Sequence, residues 1–240
     1  MCTCLCSYHT AGLTADGGVY TFGLNDYGQL GRRGVMGAAG SNKCICDSGG
    51  DCSCGQQGDP VAAREGEACH GGASCRSGIP TRVALPGTAV SLAAGRYTTV
   101  AVMDSGELYA WGLNLCASDG EDLLPVDLVA DPTRAATPRR VRGFGGPGEP
   151  KAVKADVGYI HLAILTEAGD VWTCHTGYDG YAGGLQHRDK PNAQGELGRP
   201  TVADADAYRP GLVAGALEGQ RIVDIATGAS PLRSSPSLHG

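Results

Sequence analysis

Residues 6–23 read CSYHTAGLTADGGVYTFG, and residues 24–31 continue as LNDYGQLG. Two short apolar-rich runs flank a turn that contains Gly17, and the second run carries the aromatic residues Tyr20 and Phe22. Glycine permits the positive φ angle that the tight reversal of a twisted hairpin requires. The stretch therefore predicts a β-hairpin that leads into a turn punctuated by glycine.

This hairpin pattern occurs twice more along the chain. Residues 95–112 read GRYTTVAVMDSGELYAWG and residues 158–175 read GYIHLAILTEAGDVWTCH, so that Gly17, Gly106 and Gly169 coincide when the copies are superimposed without gaps. The GQLG turn of the first copy returns in the third copy as GELG. A proline opens a further short strand after each hairpin, and these strands are expected at residues 79–83, 137–141 and 209–213.

A candidate strand also precedes each later hairpin start. Val90, Val153 and Val223 each lie five residues before the glycine with which a repeat starts. Each repeat thus contains about four short strands, and glycine-punctuated units of this kind are typical of β-propeller blades. We therefore predict an all-β fold made of blades of four antiparallel strands.

The three copies resemble the repeat of the regulator of chromosome condensation family, which combines a His-Thr-Ala hairpin, a Trp-Gly-x-Asn step and a Gly-Gln-Leu-Gly turn. The first copy matches at residues 9–11, 23–25 and 28–31. The second copy keeps Trp111 and the residues around it but lacks the Gly-Gln-Leu-Gly segment, and the third has Cys174 where the tryptophan is expected. The resemblance implies the family's seven-bladed propeller, of which this chain would hold about three and a half repeats.

The resemblance also divides the chain. Repeats are expected at about residues 1–88, 89–151 and 152–221, with a truncated repeat at 222–240 and a Cys/Gly-rich insertion loop at 32–78. An open stack of blades leaves its end faces uncovered. We therefore expect a partial propeller that a second chain or a missing segment completes.

Composition limits the function classes. Glycine accounts for 39 of 240 residues, and only 18% of residues are charged, which argues against a helical bundle. The net charge of −6 argues against nucleic acid as a partner. A local basic cluster at residues 139–142, with Lys151 and Lys154 beyond it, fits either a solvated loop or a contact with phosphate or an acidic partner.

No membrane or targeting segment is predicted. The longest apolar stretches, such as residues 83–94, are interrupted by proline and glycine and are too short to span a bilayer. The residues at the start of the sequence lack the pattern of a signal peptide. The expected location is cytoplasmic or nuclear, with a ciliary location also compatible with the family.

Six cysteines lie in the insertion, at positions 44, 46, 52, 54, 69 and 75, and His70 follows Cys69. Three interpretations remain open. The thiolates and His70 could bind Zn²⁺, although Cys-x-Cys pairs are tighter than the usual zinc knuckle. They could form disulfides, which a reducing cytosol disfavours. The segment could also be a disordered loop with free thiols.

No catalytic, cofactor-binding or metal-binding residue is assigned from the sequence, and no enzymatic activity or cofactor is expected. The glycine-rich residues 143–148 lack the context of a phosphate-binding loop. His9 and His161 occupy the histidine position of the repeat, where a structural hydrogen bond within the hairpin is expected; His175 and His187 have no matching nucleophile or carboxylate pattern.

The resemblance therefore implies a protein–protein interaction scaffold. The alternative is a guanine-nucleotide exchange factor for a small Ran-type GTPase, or a chromatin-binding module.

Overall fold

The computed structural model describes residues 9–25, 27–32, 44–46, 52–54, 76–113, 116, 135–176, 192 and 195–228. Within these ranges the chain forms three antiparallel sheets of three or four strands and one separate two-stranded hairpin. The three sheets follow one another along the sequence, and each contains a hairpin predicted from the repeat. The prediction of an all-β fold made of propeller blades is confirmed.

The first blade consists of β1 (His9–Leu13), β2 (Val19–Leu24) and β5 (Arg76–Arg82) in that order. β1 pairs with β2 from His9↔Gly23 to Leu13↔Val19, around the turn that contains Gly17. β5 is an edge strand within the described residues, which suits Pro80 because proline has no N–H to donate to a second neighbour. Between β2 and β5, the short strands β3 (Cys44–Cys46) and β4 (Cys52–Cys54) pair with each other.

The second blade consists of β6 (Ala89–Ala94), β7 (Thr98–Met103), β8 (Leu108–Gly112) and β9 (Arg139–Val141) in consecutive order. All six residues of β7 are buried, because neighbouring blades cover both of its faces. Val100 and Val102 pack toward the third blade, whereas the alternate residues Ala101 and Met103 pack toward the first.

The third blade repeats this order with β10 (Ala152–Val157), β11 (His161–Thr166), β12 (Val171–His175) and β13 (Gly211–Leu212). The connection from β12 to β13 includes the one-turn helix α1 (Asp204–Ala207). No helix in the described part of the chain is long and apolar enough to span a membrane.

The predicted strands before the second and third hairpins correspond to β6 and β10. Each of them contains a β-bulge, which the sequence pattern did not indicate. The β6–β7 pairing shifts register between Ala89 and Ser91, and the β10–β11 pairing shifts between Ala152 and Lys154. Val90 and Val153 are the bulged residues at these shifts, and they are exposed rather than part of the core.

Successive blades are joined by the same backbone contact. Ala89 N donates to Gly17 O at 3.1 Å, and Ala152 N donates to Gly106 O at 3.1 Å. Ile222 N donates to Gly169 O at 3.0 Å in the equivalent position. Residues 222–228 therefore follow the path of a fourth lead-in segment, although they form no strand and Val223 is 83% exposed.

Side chains of the third blade hold this fourth segment in place. Lys154 Nζ pairs with the Asp224 carboxylate and donates to Ile225 O at 2.9 Å. Asp156 Oδ2 accepts hydrogen bonds from the backbone N–H of Thr227 at 2.6 Å and from its hydroxyl at 3.0 Å. The segment thus docks on β10 through polar contacts rather than through strand pairing.

Candidate protein-binding face

The turns after the first hairpin and the third hairpin have the same construction. Leu30 N donates to Asn25 Oδ1 at 2.9 Å, and Leu197 N donates to Asn192 Oδ1 at 3.0 Å. Each turn requires positive φ angles at two glycines, which are Gly28 and Gly31 in the first turn and Gly195 and Gly198 in the second. The GQLG and GELG segments are therefore equivalent in structure as well as in sequence.

A buried threonine fixes each turn to its own blade. The Thr21 hydroxyl donates to Leu30 O at 2.7 Å, and the Thr173 hydroxyl donates to Leu197 O at 2.6 Å. Arg32 also donates to the Thr21 hydroxyl oxygen at 2.6 Å, and burial lowers the pKa of its guanidinium. These contacts make the turns rigid extensions of the strands.

The junction between the first and second blades is a buried hydrogen-bond network centred on the backbone carbonyl of Gln29. Gln29 O accepts from the Thr99 hydroxyl at 2.8 Å and from the Trp111 indole N–H at 3.0 Å. Because the Thr99 hydroxyl proton is used in this way, its oxygen accepts from His9 Nε2, which lies 2.9 Å away. His9 therefore joins two blades across 90 residues of sequence instead of bonding within its own hairpin.

Burial keeps His9 neutral. Its side chain lies in the core, and Nδ1 has no hydrogen-bond partner among the residues that the structure describes. Desolvation lowers the pKa of His9 from 6.5 to about 4. Burial also lowers the pKa of His161, an effect that Glu196 and Asp156 oppose. His9 thus makes a structural hydrogen bond, but it makes it to the second blade and not within its own hairpin as expected from the repeat.

The junction between the second and third blades contains a disulfide. It links Cys116, in the connection after β8, to Cys174 in β12, with the Cα atoms 6.1 Å apart. Both residues are buried. No spacing pattern in the sequence predicts this pair, although the replacement of the expected tryptophan by Cys174 indicates that this junction differs from the first.

An arginine between two tyrosines lies at the end of the blades opposite the hairpin turns. The Arg96 guanidinium lies 4.8 Å from the ring centre of Tyr97 and 4.6 Å from that of Tyr159. Tyr97 in turn makes an edge contact with Tyr27 at a ring separation of 4.6 Å. We call these four residues the aromatic face; they come from all three blades and bring together positions that the sequence analysis had not linked.

The basic cluster at residues 139–142 is not a solvated loop, which was one of the two interpretations that the sequence left open. Arg139 and Arg140 lie in strand β9. Arg140 pairs with Glu107 and Glu149 at 3.2 Å each and donates to Phe144 O at 2.7 Å. Its charge is therefore neutralised within the protein, where it fixes the loop at residues 143–149.

The cysteine-rich insertion is described only over its two short strands. Their register places Cys44 opposite Cys54 and Cys46 opposite Cys52. These strands differ from a wholly irregular loop, whereas Cys69, His70 and Cys75 lie outside the described residues, as does His187. Among the residues that the structure describes, no group of three or more histidine, cysteine or acidic side chains is arranged to hold a metal ion.

A cavity of about 380 Å³ lies at the hairpin-turn end of the first blade. It is lined by residues 17–19, 82–85 and 87, and Arg82 is the charged side chain in this set. The lining contains no carboxylate, histidine, thiol or hydroxyl that could act as a nucleophile or general base. The cavity therefore has no catalytic arrangement, and the aromatic face is the stronger candidate for recognition.

Comparisons with known proteins agree with this architecture. The family of the Regulator of chromosome condensation (RCC1) repeat matches residues 7–29 and 89–117. The E3 ubiquitin-protein ligase HERC2 of Mus musculus is 27% identical over 239 residues. That alignment covers 92% of this chain and 4% of the ligase, so the chain corresponds to a small part of that protein.

Two solved structures share the fold. Prp20p from Saccharomyces cerevisiae, described with its binding properties to Gsp1p and histones, is 18% identical with a TM-score of 0.53; the match covers 93% of this chain and 40% of Prp20p. Yeast RCC1 (Prp20) bound to Kap60 is 17% identical with a TM-score of 0.53, over 93% of this chain and 38% of that one. The repeated hairpins, their matching turns and these comparisons together support a β-propeller fold built from RCC1-type repeats, which the family model matches at residues 7–29 and 89–117.

Proposed function

We propose that this protein is a non-enzymatic interaction scaffold whose aromatic face binds an acidic segment of a partner protein. The observation that carries the proposal is the position of Arg96 between Tyr97 and Tyr159. Within the described part of the chain, no carboxylate forms an ion pair with Arg96. The two rings thus hold the guanidinium in place, and no carboxylate of the described ranges neutralises its charge.

The tyrosines restrict the arginine without using its donors. A cation over an aromatic ring is attracted by the ring's quadrupole, and the ring face accepts no conventional N–H hydrogen bond in this arrangement. The planar guanidinium retains donors along its edge, which match the two oxygens of a carboxylate. Since Arg96 is only partly buried, an acidic side chain can reach this edge without displacing a buried ion pair.

The blades make the site rigid. Arg96 and Tyr97 follow β6 after Gly95, and Tyr159 follows β10 after Gly158. The β6–β7 and β10–β11 pairings begin immediately beyond these loops. Binding therefore costs little loop ordering, which is the advantage of recognition residues on a fixed scaffold.

The direct test uses a fluorescein-labelled hexaglutamate peptide and fluorescence anisotropy at low ionic strength. We expect saturable binding that Arg96→Ala weakens by about tenfold or more, since a charge-assisted hydrogen bond is lost. Arg96→Lys should restore only part of the affinity, because lysine lacks the planar fork.

Arg82→Ala is the matched control, because Arg82 is an exposed arginine at the end of β5, beside the cavity at the hairpin turns. It removes the same charge and should leave peptide binding unchanged. Equal losses from Arg82→Ala and Arg96→Ala would show a general charge effect and reject the site. Absence of saturable binding to the wild-type chain would reject the acidic-segment proposal.

A second candidate is guanine-nucleotide exchange on a small Ran-type GTPase, or binding to chromatin proteins. Its support is the fold shared with Prp20p, whose structure is described with binding to Gsp1p and histones. Accelerated release of a fluorescent guanine nucleotide from a Ran-type GTPase would favour exchange activity. The net charge of −6 disfavours direct contact with nucleic acid.

We also propose that an antiparallel hairpin completes a fourth blade on residues 222–228. The support is the Ile222 N to Gly169 O contact, which repeats the contact that starts the second and third blades. The hairpin would come from a second chain or from further polypeptide. Retention of monomer mass by the 240-residue chain in light scattering would exclude a second copy as its source. The repeat boundaries and the cytoplasmic, nuclear or ciliary location likewise remain proposals.

A further inference from the structure

The second blade junction lacks the hydrogen-bond network of the first. In the aligned repeats, the residues equivalent to His9, Thr99 and Trp111 are Thr98, Leu162 and Cys174. Thr98 donates its hydroxyl to Leu113 O within its own blade at 2.5 Å. Leucine offers no polar group, and cysteine has no indole N–H. All three side chains of the network are therefore replaced together.

The disulfide occupies the place of the missing network. Trp111 reaches from the second blade to the post-hairpin turn of the first, where it bonds to Gln29 O. Cys174 lies at the equivalent strand position in the third blade and reaches the post-hairpin connection of the second, where it is bonded to Cys116. A covalent bond thus stands where the first junction has hydrogen bonds.

We propose that Cys116–Cys174 is a redox-controlled clasp of the junction between the second and third blades, and that the oxidised form holds the aromatic face in its binding geometry. The second part rests on the proposed function. Arg96 and Tyr159 lie on opposite sides of the same junction, so loosening it would separate the arginine from one of its two rings.

The redox step is a thiol–disulfide exchange. A thiolate of a dithiol reductant attacks one cysteine sulfur, breaks the S–S bond, releases the other cysteine as a thiolate and forms a mixed disulfide. The reductant's second thiol then attacks the mixed disulfide and releases the first cysteine. Cys116 and Cys174 together gain two electrons and two protons, and the dithiol becomes a cyclic disulfide. A small-molecule disulfide such as oxidised glutathione reverses the reaction.

The burial of the two sulfur atoms limits the rate at which the disulfide can be reduced. Cys116 is 2% exposed and Cys174 is 0% exposed, so a reductant has no direct path to either sulfur in the closed structure. Reduction must therefore follow local opening of the junction. We expect the rate of reduction to rise steeply in urea concentrations below the unfolding transition.

The first experiment measures thermal unfolding of the full chain after equilibration with oxidised glutathione or with dithiothreitol. The entropy lost from the unfolded chain by closing a 58-residue loop corresponds to a Tm about 10 °C higher in the oxidised form. The double variant C116A/C174A should melt near the reduced wild type and should not respond to dithiothreitol. It retains the other nine cysteines, so it controls for their reactions.

Peptide mapping with differential alkylation identifies the bond directly. Recovery of Cys116 and Cys174 as free thiols after equilibration with oxidised glutathione would overturn the proposal. An unchanged Tm on reduction of this bond would also overturn it. Should the double variant not fold, the comparison of oxidised and reduced wild type with the same mapping remains decisive.

The second experiment repeats the hexaglutamate titration in both redox states. We expect at least threefold weaker binding to the reduced chain and no redox effect on C116A/C174A. A Tm shift without peptide binding in either state would leave the clasp standing and refute the proposed function. Equal peptide binding in both states would refute the coupling between the clasp and the aromatic face.

Discussion

The pH dependence of stability provides the sharpest test of the first blade junction. His9 donates from Nε2 to the Thr99 hydroxyl, which itself donates to Gln29 O. Its other ring nitrogen, Nδ1, is buried and has no hydrogen-bond partner within the described part of the chain. Protonation of Nδ1 would therefore place a charge in the core with nothing to stabilise it, which is why the pKa of His9 falls to about 4.

The size of the loss in stability at low pH follows from the difference between the His9 pKa values of the folded and unfolded chains. Above pH 6.5, His9 is neutral in both the folded and the unfolded chain, and its contribution to stability is complete. As the pH falls below 6.5, His9 becomes protonated in the unfolded chain but stays neutral in the folded chain. The free energy of unfolding therefore decreases. With a folded pKa of about 4, the loss is about 2 kcal/mol at pH 5 and approaches about 3 kcal/mol below pH 4.

The measurement is urea unfolding followed by circular dichroism at pH 8, 7, 6 and 5 and constant ionic strength, for the wild type and for His9→Gln. Glutamine keeps an N–H that can reach the Thr99 hydroxyl but does not titrate. The wild type should lose about 2 kcal/mol more than the variant between pH 8 and pH 5. Comparison with the variant also cancels the effect of His161, whose pKa is lowered as well. Parallel losses in the two proteins would refute the buried neutral histidine.

Three substitutions, with a fourth as a control, test the turns and their contacts by the change in free energy of unfolding. Thr21→Val removes the hydroxyl that donates to Leu30 O and should cost about 1–2 kcal/mol in urea unfolding. Trp111→Phe removes the indole N–H but leaves the Thr99 bond to Gln29 O, so a loss of about 1–2 kcal/mol is expected in the same assay. Gly31→Ala should cost more than about 2 kcal/mol, because its Cβ would meet the Trp111 ring at φ +68°, whereas Gly148→Ala, at φ +79° in open space, should cost about 1 kcal/mol.

The hairpins were predictable because their signal is local. Alternating burial and a turn glycine are properties of neighbouring residues, and the first hairpin was placed from residues 6–23 alone. The order of the strands was also predictable, because the same sequence pattern recurs in each blade. The exposed positions of Val90 and Val153 were missed because a β-bulge changes which side a residue faces without changing its residue type.

The recognition and junction residues depend on contacts between blades. Cys116 and Cys174 are 58 residues apart, and no spacing rule pairs them. Arg96 meets Tyr159 only because two loops meet at one end of the stack. Similarly, the partners of Arg140 come from a hairpin turn and a loop, so the sequence alone suggested a free basic cluster where the structure has ion pairs.

The different chemistry of the two junctions means that they respond to different conditions. The first depends on the protonation state of His9, so acid weakens it while a reductant leaves its hydrogen bonds intact. The second contains a cystine, so electrons supplied by thiols weaken it at a pH where the first is unaffected. Blades built on one repeat can therefore be weakened at one junction by acid and at the other by a thiol reductant.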